Sequence, residues 1–178
     1  MPQNTTTLKT QLKDVELTSN VNYLQPTGFR ITIDRTRYPN LEYFCQSVTH
    51  PGMATNTVPI SVRRLEKVPM PGDMISFGTV DFQILLDENM SSYLEMYEWM
   101  QRNVNVGQVS ANQRRTSIPT HSDITLSILS SHNNLVKTIT YKDAIPTGLS
   151  GMTFQSASGD ASYISFNATF DFSEFEIK

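Results

Sequence analysis

The segment Ile164-Ser165-Phe166-Asn167-Ala168-Thr169-Phe170-Asp171-Phe172 alternates strictly between apolar and polar side chains. Because successive side chains of a β-strand point to opposite faces, this period of two predicts a half-buried strand close to the end of the chain. The phenylalanines would face a core, and Ser165, Asn167, Thr169 and Asp171 would share the polar face. The strand lacks the lysine or proline that commonly blunts an exposed sheet edge, so we expect it to form an edge that accepts a neighbouring strand.

Other segments have the same strand-like patterning. Residues 29–34 and 124–128 alternate between apolar and polar side chains, and a turn at 131–134 followed by residues 135–141 predicts a hairpin. A further strand is expected over residues 42–48. These short strands predict an antiparallel sheet fold.

The middle of the chain is rich in proline and glycine. Residues 58–63 alternate, but Pro59 has no amide hydrogen to donate, which predicts an edge strand or an extended arm. The cluster Pro69-Met70-Pro71-Gly72-Asp73 is expected to form a turn. Residues 74–77 and 80–86 would then form one bent strand or two short strands.

Only the segment from about Met90 to Asn103 has the pattern of a good helix. Met90, Tyr93, Leu94 and Tyr97 lie at the i, i+3, i+4, i+7 spacing of a buried stripe. We therefore expect the side of the helix that carries Leu94, Tyr97 and Met100 to pack on the sheet. Many short strands with one helix predict a mainly β fold, an antiparallel β-sandwich or open barrel with the helix packed on its outside.

Two segments are too polar to form a core of their own. Residues 1–24 have no clear period and are predicted to be a flexible N-terminal arm, which leaves residues 25–178 as a single domain. Residues 104–120 have little apolar content and are expected to form a long loop, a kind of segment that is usually functional or disordered.

Composition excludes several classes of protein. The 178 residues carry a net charge of -3, which gives no overall attraction to nucleic acid or to an anionic membrane. Cys45 is the single cysteine, so no internal disulfide can form, and its apolar surroundings predict a buried, inert thiol. Without a long apolar run or a signal peptide, we expect a protein that folds in the cytoplasm, is not inserted in a membrane and is not secreted by the usual route.

The sequence has no pattern that predicts catalysis, a cofactor or a metal site. His50, His121 and His132 lie in or beside predicted turns without a partner at metal-binding spacing. No Gly-x-Ser-x-Gly elbow and no phosphate-binding glycine loop is present. The basic pairs could bind phosphate, but exposed arginines are also common at protein interfaces, and we expect interface contacts for Arg63, Arg64, Arg114 and Arg115.

The order of these segments resembles that of the tail tube proteins of contractile-tailed bacteriophages. Residues 29–33 look like the family's first strand, and residues 40–48, ending at Pro51-Gly52, look like its second. Val58-Pro59-Ile60 resembles the arm that leads to the paired strands, and residues 72–89 resemble the strands before the single helix. Aromatic residues in the helix, the Ala144-Ile145-Pro146 connection and the ending Phe170-Asp171-Phe172 extend the similarity over about residues 24–177.

The resemblance implies a structural role. Copies would form hexameric rings that stack into a hollow tube, with strands from each subunit joined in an inner barrel. DNA and the tape-measure protein would pass through the bore without sequence-specific binding, and Ser165, Asn167, Thr169 and Asp171 would face it. The tail sheath protein and the baseplate would be further partners. The four arginines above would make subunit or ring contacts, and the tail would be assembled in the host cytoplasm.

Two alternatives stay open from the sequence. The polar arm and the long loop depart from the usual tube subunit, which is compatible with a baseplate tube initiator or a tail terminator of the same fold. A β-sandwich module that binds a ligand or receptor would need a cluster of exposed aromatic side chains, whereas Tyr23, Tyr38 and Tyr163 lie in separate predicted loops.

Overall fold

The computed structural model describes residues 23–62, 65–104, 120–155 and 163–178. Nearly all of the predicted arm and of the 104–120 loop lies outside the described residues, as do Arg63, Arg64, Arg114 and Arg115. The described elements are, in chain order, β1 (Phe29–Thr32), α1 (Pro39–Tyr43), β2 (Cys45–Thr49), β3 (Met53–Val62), β4 (Leu65–Phe77), β5 (Val80–Leu85), α2 (Ser91–Val104), β6 (Ser122–Leu129), β7 (Leu135–Leu149), β8 (Ser165–Asp171) and β9 (Glu174–Ile177).

Seven of the nine described strands form two sheets that share one long strand. The first part of β7 pairs with β6 and β9, and β6 also pairs with β1; we call this group sheet A. The last part of β7 pairs with β8, which is followed outward by β5 and β2; we call this group sheet B. Every pairing is antiparallel, so the predicted mainly β, antiparallel fold is confirmed.

The core lies between the inward faces of the two sheets and one side of α2. Phe82 of β5 and Phe170 of β8 meet edge to face, with ring centroids 5.4 Å apart. Trp99 of α2 lies against Phe170 and stacks on Tyr38, the latter with a centroid distance of 4.3 Å. The helix therefore covers the apolar face of sheet B, and Tyr38 is a core residue rather than an exposed aromatic side chain.

The predicted buried side of the helix is wrong for Leu94 and Tyr97, whereas Tyr93 and Met100 are partly buried against the core as expected. Leu94 and Tyr97 are substantially exposed, whereas Met96 and Trp99 are buried. The helix has apolar side chains on more than one side. The indole of Trp99 donates from Nε1 to the carbonyl oxygen of Thr120 at 2.9 Å, and the side of the helix that carries Trp99 faces the core. Packing of the largest side chain thus decides which side of the helix is buried, and the spacing of apolar residues alone did not predict it.

The expected strand at 42–48 begins later, because residues 39–43 form the short helix α1. Proline fits the first position of a helix, where its missing N–H costs nothing. The free N–H groups that follow are satisfied from α2, since the carboxylate of Glu95 accepts from the backbone of Asn40 and Leu41 at 3.1 Å. A contact with a residue far along the chain therefore stabilises this helix.

The cluster at 69–73 is not a turn but part of β4. Strands β3 and β4 form a separate two-stranded sheet, the hairpin, in which Pro59 lies opposite Pro69. Each strand of a two-stranded sheet has one unpaired side, so a proline can be accommodated without loss of a ladder bond. The prediction of an edge strand or extended arm at 58–63 is confirmed for the described part, and β4 and β5 are two strands, not one bent strand.

The expectation that the closing strand forms an edge is also wrong. Strand β8 pairs with β5 on one side and with β7 on the other, so it lies inside sheet B. Within the described residues, the unpaired edges of sheet B are β2 and the last part of β7. Strand β8 lacks lysine and proline, the residues that commonly blunt an exposed edge. An interior strand has no need of them, because both of its sides are paired.

Candidate functional site

The polar face of sheet B is the most distinctive surface of the described chain. Along β8, the side chains of Phe166, Ala168 and Phe170 are buried, and those between them point to the other side. The structure therefore brings the predicted residues together on one face; these are Ser165, Asn167, Thr169 and Asp171. Because α2 covers the apolar face, the polar face is the side of the sheet away from the helix.

Residues of neighbouring strands extend this face, and the sequence prediction missed them. Asp81 and Gln83 of β5 lie opposite Thr169 and Asn167, and Thr49 of β2 lies opposite Asp81. The alternation Val80-Asp81-Phe82-Gln83-Ile84 was visible in the sequence. The pairing of β5 with β8 was not, because it joins segments more than 80 residues apart.

Side chains on the polar face bind one another. The hydroxyl of Thr169 donates to Oδ1 of Asp81 at 2.6 Å. Gln83 donates from Nε2 to Oγ of Ser165 at 3.0 Å and accepts at Oε1 from the hydroxyl of Ser47 at 3.2 Å. These hydrogen bonds join side chains of neighbouring strands. They leave fewer free hydrogen-bond donors on this face for another molecule.

The charge of the polar face is acidic. Asp81 and Asp171 are its carboxylates, and among its described side chains none is lysine or arginine. The face is slightly hollow, with a shallow depression of about 610 Å³ over β2, β5, β7 and β8. The described part of this face therefore has no cationic side chain that would bind a polyanion. A polyanion can contact the face without being bound by it.

The two edges that flank the polar face match each other. Strand β2 spans Cys45–Thr49, and the part of β7 that pairs only with β8 spans residues 145–149. Each edge is five residues long, and the alternating directions of β2, β5, β8 and β7 make the two edges antiparallel. Each edge leaves backbone C=O groups and, except at Pro146, N–H groups without a strand partner among the described residues.

The thiol of Cys45 on β2 is unsuited to nucleophilic chemistry. Burial raises the pKa of this thiol to about 12, so it stays protonated at neutral pH. Its Sγ lies 3.7 Å from the carbonyl oxygen of Gln83. The predicted burial is only partial, since Cys45 is partly buried against the core.

The histidines do not converge on a shared site. Nδ1 of His50 lies 2.7 Å from the hydroxyl of Tyr141, and burial lowers the pKa of His50. His121 lies 3.6 Å from the carboxylate of Asp143 in an exposed position, and His132 contacts the hydroxyl of Ser131. In the part of the chain that the structure describes, no group of three or more His, Cys, Asp or Glu side chains could hold a metal ion.

Another depression of the described surface is an open groove of about 860 Å³ between β1 and β2. Three charged side chains line it, Arg30, Arg35 and Glu42, and the last two bind each other at 2.6 Å. No nucleophile with an adjacent base lines the groove among the described residues. Across the same residues, no helix is both long and apolar enough to cross a membrane.

Comparison with known proteins gives one family match. The model of a family described as phage tail tube protein matches residues 9–178. No curated protein sequence matches the chain.

Solved structures with a similar fold come from contractile injection systems. The tube terminating cap of the anti-feeding prophage superposes with a TM-score of 0.66 at 15% identity, over 93% of this chain and 97% of that chain. A structure of the PVC sheath-tube complex in the extended state gives a TM-score of 0.59 at 17% identity, over 88% and 91%. The six-fold symmetrised baseplate of the anti-feeding prophage gives 0.58 at 12% identity, over 84% and 90%. At these identities the likeness is one of fold.

Proposed function

The chain belongs to the phage tail tube protein family, and we propose that its copies form six-subunit rings that stack into a hollow tube, with the polar face of sheet B lining the bore. As a member of this family it is a structural component of the virion tail. The observation that carries the proposal is the pair of matched, antiparallel edges on sheet B.

Pairing of these edges would join copies into a ring. If β2 of one copy pairs with residues 145–149 of the next, each copy uses two different surfaces, and such a heterologous contact closes into a ring when the rotation allows it. Backbone hydrogen bonds then continue from copy to copy around a barrel with four strands from each. Such closure removes both exposed edges.

The width of such a barrel favours six copies over three. Strands about 4.8 Å apart give six copies a circumference of about 115 Å and a backbone diameter of about 37 Å, before strand tilt widens it further. Three copies would give a diameter of about 18 Å by the same spacing, which inward side chains would largely fill. A bore that conducts a DNA duplex therefore requires the larger ring.

The chemistry of the polar face supports transit of DNA rather than binding. Duplex DNA carries one negative charge per roughly 1.7 Å of its axis, and proteins that bind it neutralise phosphates with lysine and arginine. The described polar face has acidic and neutral side chains that are bonded to one another. DNA and the tape-measure protein would pass without sequence-specific contacts.

Further partners follow from the family and from the assemblies in which similar folds occur. The similar structures come from a sheath-tube complex and a baseplate, and we infer that the tail sheath protein and baseplate proteins contact this chain as well. The role is non-catalytic, and assembly takes place in the host cytoplasm. Subunit or ring contacts by Arg63, Arg64, Arg114 and Arg115 stay a prediction.

A second candidate function is that of a tail terminator or a baseplate tube initiator. The superposition with the tube terminating cap, at a TM-score of 0.66, favours it. Negative-stain microscopy of the purified protein separates the two functions, because a tube subunit is expected to form long tubes and a terminator single rings. Stable monomers at high concentration would contradict both.

The edge pairing itself is testable by disulfide trapping. In a Cys45→Ser background, Ser47→Cys combined with Thr147→Cys places one cysteine at the centre of each edge, and Thr49→Cys with Ile145→Cys tests the same register at its end. Mild oxidation should give covalent oligomers up to a closed ring, whereas each single variant should give at most dimers. Rings that form normally but do not cross-link with either pair would show that other surfaces join the copies.

A further inference from the structure

One side of α2 presents apolar side chains to solvent. Met90 lies immediately before α2, where its carbonyl oxygen accepts from the N–H of Leu94, and Leu94 and Tyr97, three residues apart within the helix, share one side of it. Their exposed fractions are 37%, 51% and 44%. We call these three residues the helix stripe. The core is packed by Met96 and Trp99 on the other side, so the stripe contributes little to the folding of the monomer.

A second exposed apolar surface lies on the hairpin. Val58 pairs with Met70 and Ile60 pairs with Val68, so these four side chains share one face of the hairpin, which we call the hairpin patch. Val58, Ile60 and Met70 are 50%, 47% and 46% exposed. The two strands pair only with each other, and a two-stranded hairpin is marginally stable in water without a covering surface.

We propose that the hairpin patch of one copy covers the helix stripe of the neighbouring copy in the ring. The proposal rests on the proposed ring, because both surfaces are exposed within a single chain and therefore do not cover each other there. A second copy of the chain supplies the missing cover for each. The two surfaces are different, so the contact is heterologous like the edge pairing and can close in the same ring.

The connections of the chain place the hairpin patch and the helix stripe at the same boundary between two neighbouring copies. Only residues 50–52 separate β2, one of the two edges, from β3, so the hairpin emerges at that edge. Helix α2 packs against β7, the strand that supplies the other edge. When β2 of one copy pairs with β7 of the next, the hairpin of the first copy starts beside the strand on which the α2 of the second copy is packed.

The sizes of the two surfaces are compatible. The seven-residue interval from Met90 to Tyr97 corresponds to about 10 Å along a helix at 1.5 Å per residue. The hairpin patch extends about 7 Å along each strand and about 5 Å across two strands. One helix face of this length therefore fits on the hairpin patch.

The ring needs a contact of this kind for its stability. A stable protein interface involves roughly 20–30 residues on each side, and a five-residue edge supplies only a part of them. Apolar contact between the hairpin and the helix adds the buried area that edge hydrogen bonds lack. Their combination explains why so many large apolar side chains stay exposed in one described chain.

Disulfide trapping between copies tests the proposal. Single cysteine variants are made in the full-length Cys45→Ser protein and mixed in pairs. The first pair is Met70→Cys with Leu94→Cys, and a second pair, Ile60→Cys with Tyr97→Cys, allows for a shifted register. The matched control combines Met70→Cys with Leu135→Cys, since Leu135 is an exposed leucine outside the helix stripe. Mixing the two single variants before assembly should give a covalent dimer at least tenfold more abundant than in the control mixture.

A charged substitution supplies the second readout. Leu94→Asp should reduce tube or ring formation at least tenfold while the monomer keeps its circular dichroism spectrum, whereas Leu135→Asp should assemble normally. Normal assembly of Leu94→Asp, or tubes that do not cross-link with either cysteine pair, would overturn this contact and leave the proposed function standing. Loss of sheath binding by otherwise normal Leu94→Asp tubes would assign the stripe to the sheath and also overturn it. Failure of the unmodified protein to form rings would instead refute the proposed function.

Discussion

Two neighbouring positions on α2 should respond very differently to the same truncation. Met96 is fully buried among core side chains, whereas Leu94, two residues earlier, is about half exposed. Leucine and methionine have nearly equal helix propensities, so replacement of either by alanine changes the intrinsic stability of the helix by a similar amount. The comparison therefore isolates burial.

The magnitudes follow from what each side chain contacts. Met96→Ala removes a buried side chain and leaves a cavity, which costs about 2–5 kcal/mol of the free energy of unfolding. Complete burial of a leucine contributes about 1.5–3 kcal/mol, so the half-exposed Leu94 should lose about 1 kcal/mol on truncation. At about 2–4 °C per kcal/mol for a domain of this size, the two thermal midpoints should differ by several degrees.

Urea denaturation measures this difference at concentrations where the protein is monomeric, because assembly would add its own stabilisation. In assembly, the order of the two variants should be reversed. Leu94→Ala should weaken rings more than its small effect on the stability of the monomer accounts for. If Leu94→Ala destabilises the monomer as much as Met96→Ala, the assignment of the two helix sides is wrong.

Changing Asn167 and Thr169 together to lysine should leave tubes of normal length but give phage that eject DNA poorly, least so at high salt, because lysines in the bore would bind phosphates; infection equal to that of an Asn167→Gln, Thr169→Ser control would refute the bore assignment. Burial lowers the pKa of His50, so the folded state favours its neutral form. The resulting contribution to the stability of the fold is fully present above the unfolded-state pKa of about 6.5 and is lost as the pH falls below it. The urea midpoint should therefore fall less between pH 7.5 and 5.5 in His50→Gln than in the parent, and equal falls would contradict the effect. Tyr38→Leu should destabilise the monomer by about 2–4 kcal/mol, since it removes the stack on Trp99 and the bond from Arg102; an unchanged thermal midpoint would show that this stack does not support the core.

The sequence predicts best those elements whose pattern is local. Alternation in 164–172 and 124–128 identifies β8 and β6 together with the faces that they bury, because the period of a strand depends only on its own residues. The four polar residues of β8 could therefore be placed on one face without a structure. Recognition of the family depended on the order of such elements.

The errors concern contacts between distant segments. The edge prediction for β8 failed because nothing within residues 164–172 shows that β5 and β7 pair with it. The buried side of α2 was misplaced because the helix is apolar on two sides, and the packing of Trp99 on Tyr38 distinguishes them. The polar partners Asp81 and Gln83 were missed for the same reason, since strand pairing decides their neighbours.

The shared strand β7 has a consequence for how the subunit opens. Its first part belongs to sheet A and its last part to sheet B, so neither sheet can separate without breaking hydrogen bonds of the same continuous backbone. Amide protons of its paired residues should therefore exchange with solvent only when the whole domain unfolds cooperatively. Among the described residues, the strands of the hairpin have no backbone pairing with either sheet, and Phe77 at the end of β4 packs on Phe172 and Phe175. The part of the hairpin beyond Phe77 can therefore open on its own. A subunit built in this way could rearrange its hairpin during ring assembly while both sheets keep their fold.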